Sequence, residues 1–155
     1  MGNKNREYIH YGHSSFDRNL FTPIRNQEKW VKPSGGLWAS AVDSYFGWKD
    51  WCTREKFNTT RLKFNFRFTL SETARVLHIY TAKQLKDLPR IEENMDMWCC
   101  LNFEKLLADG WDAIELHLSE ECLDDVEFCG GLYWKLYGWD CDSILVMNPD
   151  IVEVI

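Results

Sequence analysis

From Leu62 to Leu70 every second residue is apolar: Leu62, Phe64, Phe66, Phe68 and Leu70. A period of two held over nine residues describes a strand with one face on a core and the other in water. The chain is therefore committed to a sheet that needs a cover. Further strands are predicted over 6–11, 37–40, 76–80, 112–118, 132–137, 143–147 and 151–155, the last after the Asn148-Pro149-Asp150 turn. Helical patterning is concentrated earlier. Ser15 is placed to cap a short helix carrying Phe16, Leu20, Phe21 and Ile24 on one face, and Asp43 or Ser44 to open a helix with Trp48, Trp51 and Cys52. Short helices are predicted over 82–88, stopped by Pro89, and over 103–108, capped by Asn102 and ended before Gly110. The acidic stretch 120–127 reads as a solvated loop or helix. Early helices and late strands predict an α+β fold of two small, packed, mostly antiparallel sheets with flanking helices.

With 155 residues, 45% of them hydrophobic and 15% aromatic, the chain can fill one core, so 1–155 reads as a single domain and not as a disordered segment. Its apolar runs are too short to span a membrane, and the polar start leads into no apolar signal region, which predicts a cytoplasmic protein without a membrane partner. The net charge of −6 is uneven. Residues 1–75 carry thirteen Lys/Arg against seven Asp/Glu, and residues 76–155 carry five against seventeen. Long nucleic acid is a poor partner for such a chain, whereas the basic half suits a small anionic ligand. The six cysteines, at 52, 99, 100, 122, 129 and 141, read as free thiols. His117 with Cys122, Cys129 and Cys141 fits no familiar zinc spacing, so no metal site is predicted.

No phosphate loop, dinucleotide fingerprint, zinc-protease helix or serine-hydrolase elbow is present. Three segments carry chemistry instead. Tyr11-Gly12-His13-Ser14-Ser15-Phe16 and Gly35-Gly36-Leu37-Trp38-Ala39-Ser40 each set small and hydroxyl residues at a strand end beside a turn, with aromatics near enough to take a flat heterocycle and its ribose. Asp140-Cys141-Asp142 precedes the buried strand Ile144-Leu145-Val146-Met147. A carboxylate there is held rigidly and is suited to stabilising a developing cation.

In this order, the segments resemble the ADP-ribosyltransferase superfamily typified by diphtheria toxin. Its first strand ends in His before hydroxyl residues, as in Ile9-His10-Tyr11-Gly12-His13-Ser14-Ser15. A short strand after Gly and a helix offering a ring follow, as in Gly36-Leu37-Trp38-Ala39-Ser40 and the helix of Trp48 and Trp51. A late acid opens a strand, as in Asp142-Ser143-Ile144-Leu145. The resemblance implies NAD as substrate, lying across two splayed sheets, and mono-ADP-ribosylation of a macromolecular acceptor, a protein, by a toxin or anti-defence effector. It implies that His13, with Ser14 and Ser15, holds a ribose hydroxyl, supported by Gly36, Trp38 and Ser40. Tyr45, Trp48 or Trp51 stacks on nicotinamide, and Asp142 stabilises the oxocarbenium-like transition state while Asp140 serves the acceptor. Arg18 or Arg25 is assigned to the pyrophosphate from charge alone. His10 competes with His13, and Asp140 with Asp142.

Two other functions fit the sequence. Glu115, His117, Asp140 and Asp142 would suit a metal-dependent phosphodiesterase if their strands are neighbours. Eight Trp in a small acidic chain would also suit a non-catalytic protein that grips a host target through aromatic anchors.

Overall fold

The computed structural model describes residues 6–27, 32–85, 87–91, 101–117 and 139–155. The strands are β1 (Tyr8–Tyr11), β2 (Leu37–Ala41), β3 (Asn65–Leu70), β4 (Val76–Ile79), β5 (Ala113–Leu116), β6 (Ser143–Val146) and β7 (Val152–Val154). The helices are α1 (Trp48–Glu55) and α2 (Phe103–Ala108), with short 3-10 turns between elements. The fold is α+β, but the strands form one hydrogen-bonded series, β4-β5-β6-β2-β1-β3-β7, and not two separate sheets. Only β4 and β5 run parallel; the chain between them carries α2, the crossover a parallel pair needs.

The pleat sorts the apolar residues into two cores. Trp38, Leu145, Ile114 and Ile79 pack on one face with Phe103 and Leu106 of α2. Tyr8, Phe66, Phe68, Ala39, Ala41, Ile144 and Val146 pack on the other, with Phe16 and Phe21 against them. All four residues of β5 and of β6 are therefore buried. The alternation of β3 is seen directly, with Phe66, Phe68 and Leu70 buried and Asn65 and Arg67 exposed. The expected strand over Leu62–Leu70 starts late, because Thr59–Lys63 forms a 3-10 turn. The segments predicted as strand over 132–137 and as acidic loop over 120–127 lie outside the described residues.

Other local expectations are corrected. The helix after Ser15 is a single 3-10 turn, Arg18–Leu20, capped by Asp17, whose carboxylate accepts from the Asn19 N–H. Pro23 forbids its extension, and Phe16 and Phe21 pack on the sheet instead. Gly47, not Asp43 or Ser44, is the N-cap of helix α1, because the Ser44 hydroxyl donates back to the Ala41 carbonyl at 2.7 Å and holds a turn there. Helix α2 matches its prediction, the Asn102 side chain accepting from Lys105 N–H.

β1 and β2 pair only at Tyr8–Ala41 and Ile9–Ser40, while β1 and β3 pair over four positions. Beyond Ile9 the first two strands part, and that gap shapes the site. Its outer wall depends on Gly35, at φ +79°, where an added Cβ would lie 2.2 Å from the Pro23 carbonyl oxygen. Neither the conformation nor the contact tolerates a side chain. Gly35→Ala is expected to destabilise the protein by about 3 kcal/mol, read as a lower urea midpoint with unchanged slope.

Candidate functional site

Where β1 and β2 diverge, a cleft of about 250 Å³ opens, lined by His10 and Tyr11 of β1, Trp38 and Ser40 of β2, Trp48 of α1, Lys32, and Trp139, Asp140, Cys141 and Ser143 around the start of β6. A second hollow of about 390 Å³ adjoins it, lined by His13, Ser15, Phe16, Phe21, Gly36 and Phe66 among others. His10 and Trp38 belong to both, so the two hollows share one wall.

His10 occupies the gap left by the missing ladder bond. Its Nδ1 stands 2.6 Å from the Trp38 carbonyl oxygen and its Nε2 2.9 Å from His13 Nδ1. A carbonyl only accepts, so Nδ1 of His10 carries the proton and its Nε2 offers a lone pair. Burial holds this imidazole below the usual histidine range, the Trp38 carbonyl opposing it, so the ring is neutral at pH 7. Serine 40 has a different task from the expected one. Its hydroxyl donates to the Asp142 carbonyl at 2.8 Å and accepts from the Trp48 N–H at 2.9 Å. It thereby ties β2, β6 and the first turn of α1 together.

The aromatic wall is built in layers. Trp48 stacks on Trp51 at 5.0 Å and 14°, and Trp38 meets Trp139 edge-on at 4.7 Å. The Lys32 ammonium sits 5.1 Å from the Trp38 ring centre and 5.6 Å from that of Trp48. Burial holds Lys32 below the usual lysine range, while Asp140 works in the opposite direction. Two indoles thus flank one cation and the Asp140 carboxylate acts on it electrostatically, an arrangement that attracts positive charge by ring quadrupole and by Coulomb force. Cys141 is a buried thiol, pushed up to about 12 by burial, with Lys32 opposing.

The expected site residues are therefore divided. Trp38, Ser40, Trp48 and Asp140 line the first hollow, and His13, Ser15, Gly36 and Trp38 the second. His10 borders both hollows, whereas His13 lines only the second. Asp142 is turned away. Its Oδ2 accepts from the Phe46 N–H at 3.1 Å, its own N–H donates to the Phe46 carbonyl, and strand alternation sets it on the face of Ile144. Asp140 is the carboxylate that lines the cleft. Trp51 backs Trp48 and does not line the hollow, and Tyr45 is 65% exposed outside both. Ser14 lines neither. Gly36 serves packing, since a Cβ there would lie 2.6 Å from Leu145 Cδ1. Arg18 is paired with Asp150, and Arg25 with Glu104 at 3.4 Å. Lys32, Trp139 and Cys141 also line the cleft, beyond the residues the sequence predicts for it. Cys141 and Ser143 share one strand parity, which the sequence contained; Lys32 had no local signal.

The metal-dependent alternative gathers only in part: Glu115 and His117 meet at 3.9 Å and Asp142 acts on Glu115 electrostatically, but Asp140 stands apart. Glu115 pairs with Ile144 and bonds Tyr8, on the face opposite Trp38 and Leu145, whereas Asp140 lines the cleft.

No protein-family model, curated protein or solved structure matches the chain.

Proposed function

We propose that the protein is an NAD-dependent mono-ADP-ribosyltransferase acting on a macromolecular acceptor, with the nicotinamide half of NAD in the cleft of Trp38, Trp48 and Asp140 and the adenosine half in the adjoining hollow. One observation carries this reading. Three segments, two from the first third of the chain and one near its end, line one cleft where two indoles flank a cation and a carboxylate acts on it electrostatically. The oxidised nicotinamide ring is a planar cation, and the cleft is fitted to that charge. Two hollows sharing His10 and Trp38 suit a ligand with two halves. Arg61, whose Nη2 donates to the Gly12 carbonyl at 3.1 Å and whose charge reaches His10, supplies the cation for the pyrophosphate between them.

In this account Nε2 of His10 exchanges its contact with His13 for a ribose hydroxyl. The bond between ribose C1′ and the nicotinamide nitrogen breaks, the pair of electrons leaves with nicotinamide, and positive charge grows on the ribose. The Asp140 carboxylate stabilises that charge. The acceptor's nucleophile then bonds to C1′, and its proton passes to Asp140 or to water. The Lys32 ammonium yields its place to the ring.

Calorimetric titration tests the binding mode. NAD+ is expected to bind at least about 10-fold more tightly than NADH, whose reduced ring has lost the charge, because a desolvated cation–π contact is worth about 2 kcal/mol. Trp48→Ala is expected to erase that preference. Equal affinity for both forms of the dinucleotide, or no binding of either, contradicts the reading and favours a non-catalytic protein that grips its partner through aromatic anchors.

A further inference from the structure

Beyond the cleft, one cluster has no part in the proposed transfer. Parallel pairing of β4 and β5 sets His78 beside Glu115. His117, two residues past Glu115, returns to the same face. Nδ1 of His78 lies 2.8 Å from Nε2 of His117 and 3.5 Å from Oε2 of Glu115, and Nε2 of His117 lies 3.9 Å from that oxygen. All three atoms fall within 4.8 Å of one another. Ligands about 2.0–2.1 Å from a tetrahedral ion stand about 3.3 Å apart, so these spacings bracket the separation such an ion requires.

We propose that His78, Glu115 and His117 bind one divalent cation of the borderline class, zinc by preference, on the face of the sheet away from the cleft. Two imidazoles and one carboxylate form the donor set of zinc and its neighbours, whereas calcium and magnesium take oxygen ligands. The carboxylate is prepared for the task. Glu115 is only 3% exposed, its Oε2 accepts from the Tyr8 hydroxyl at 2.9 Å, and its Oε1 pairs with Arg6 at 2.8 Å. Such supporting contacts orient metal ligands and raise their affinity. Tyr80 stacks on His117 at 4.3 Å and 10°, fixing the ring plane. His78 and His117 are 28% and 17% exposed, so an ion reaches them from solvent and a water completes its shell. The ion would join the edge strand β4 to β5 and, through Tyr8, to β1.

The test uses the full chain, stripped with EDTA and dialysed, then titrated with zinc chloride. One site of micromolar or tighter affinity is expected. Melting should rise by about 5 °C or more once free zinc exceeds Kd 100-fold. His117→Gln and His78→Asn should each weaken zinc at least about 10²-fold, more than loss of a supporting contact costs, and Tyr8→Phe by a smaller factor. X-ray absorption of zinc-loaded wild type needs no variant to fold. It should show imidazole and oxygen neighbours without sulfur. A sulfur shell near ~2.3 Å would assign the ion to cysteines and overturn the proposal. So would unchanged zinc affinity in a folded His117→Gln variant, or no zinc uptake by the wild type. None of these outcomes depends on NAD chemistry.

Discussion

Asp140→Asn is expected to slow nicotinamide release by about 10²–10³-fold, the usual cost of losing one preorganised electrostatic contact to a transition state. The substitution keeps the shape of the side chain and removes the charge that faces the cation developing on the ribose. Because the effect falls on the transition state, kcat should drop more than the affinity for NAD+ changes. The matching change two residues on should behave differently. Asn at 142 still presents an oxygen to the Phe46 N–H that the Asp142 carboxylate now accepts from, so Asp142→Asn should retain activity within a few-fold. Steady-state release of labelled nicotinamide from the two variants checks both halves. An active Asp140→Asn beside a dead Asp142→Asn would return the catalytic role to Asp142.

The second large effect concerns Cys141. Its thiol lines the cleft, and a nucleophile there would imply a covalent mechanism. Burial pushes that thiol up to about 12, so almost no thiolate exists at pH 8 and the group is inert as a nucleophile. Iodoacetamide at pH 8 should alkylate Cys141 in the native protein at least about 10³-fold more slowly than in urea-unfolded protein. Peptide mapping by mass spectrometry at short times reads the site directly. Because the folded value lies above the unfolded one, the sign of the linkage is fixed. The protonated thiol adds stability that is lost only as pH rises past the ordinary thiol range toward about 12. Rapid native alkylation of Cys141 would show an exposed, activated thiol and would displace Asp140 from the centre of the account.

Sequence patterning revealed what local rules govern. Period two located the buried face of β3, and the Asn102 cap with Gly110 beyond located α2. The same rules failed where tertiary contacts competed. Phe16, Leu20, Phe21 and Ile24 have helical spacing, yet the sheet face claims Phe16 and Phe21. The order of seven strands had no local signature, because it depends on which edges meet. Within the site, the segments were legible and some of their side chains were not. Ser14 and Ser15 drew attention to His13, whereas alternation from Tyr8 places His10 at the point where β1 leaves β2. Alternation back from Ile144 likewise puts Asp142 on the Ile144 face, and Asp140 reaches the cleft from the loop before the strand. The resemblance implies a ligand contact for Ser40, but both sides of its hydroxyl are engaged by Asp142 and Trp48. Lys32 depends on a long-range meeting with two tryptophans and was invisible to pattern.

The proposed function stands or falls on transfer of ADP-ribose from NAD by this cleft. Its most direct test is mass spectrometry of a cell lysate incubated with the protein and isotopically labelled NAD, with the Asp140→Asn variant run in parallel. The expected result is one labelled ADP-ribose on a discrete acceptor, with stoichiometric release of nicotinamide, and about 10²–10³-fold less of both with the variant. No labelled acceptor and no nicotinamide released by the wild type, or equal labelling by both proteins, would contradict it.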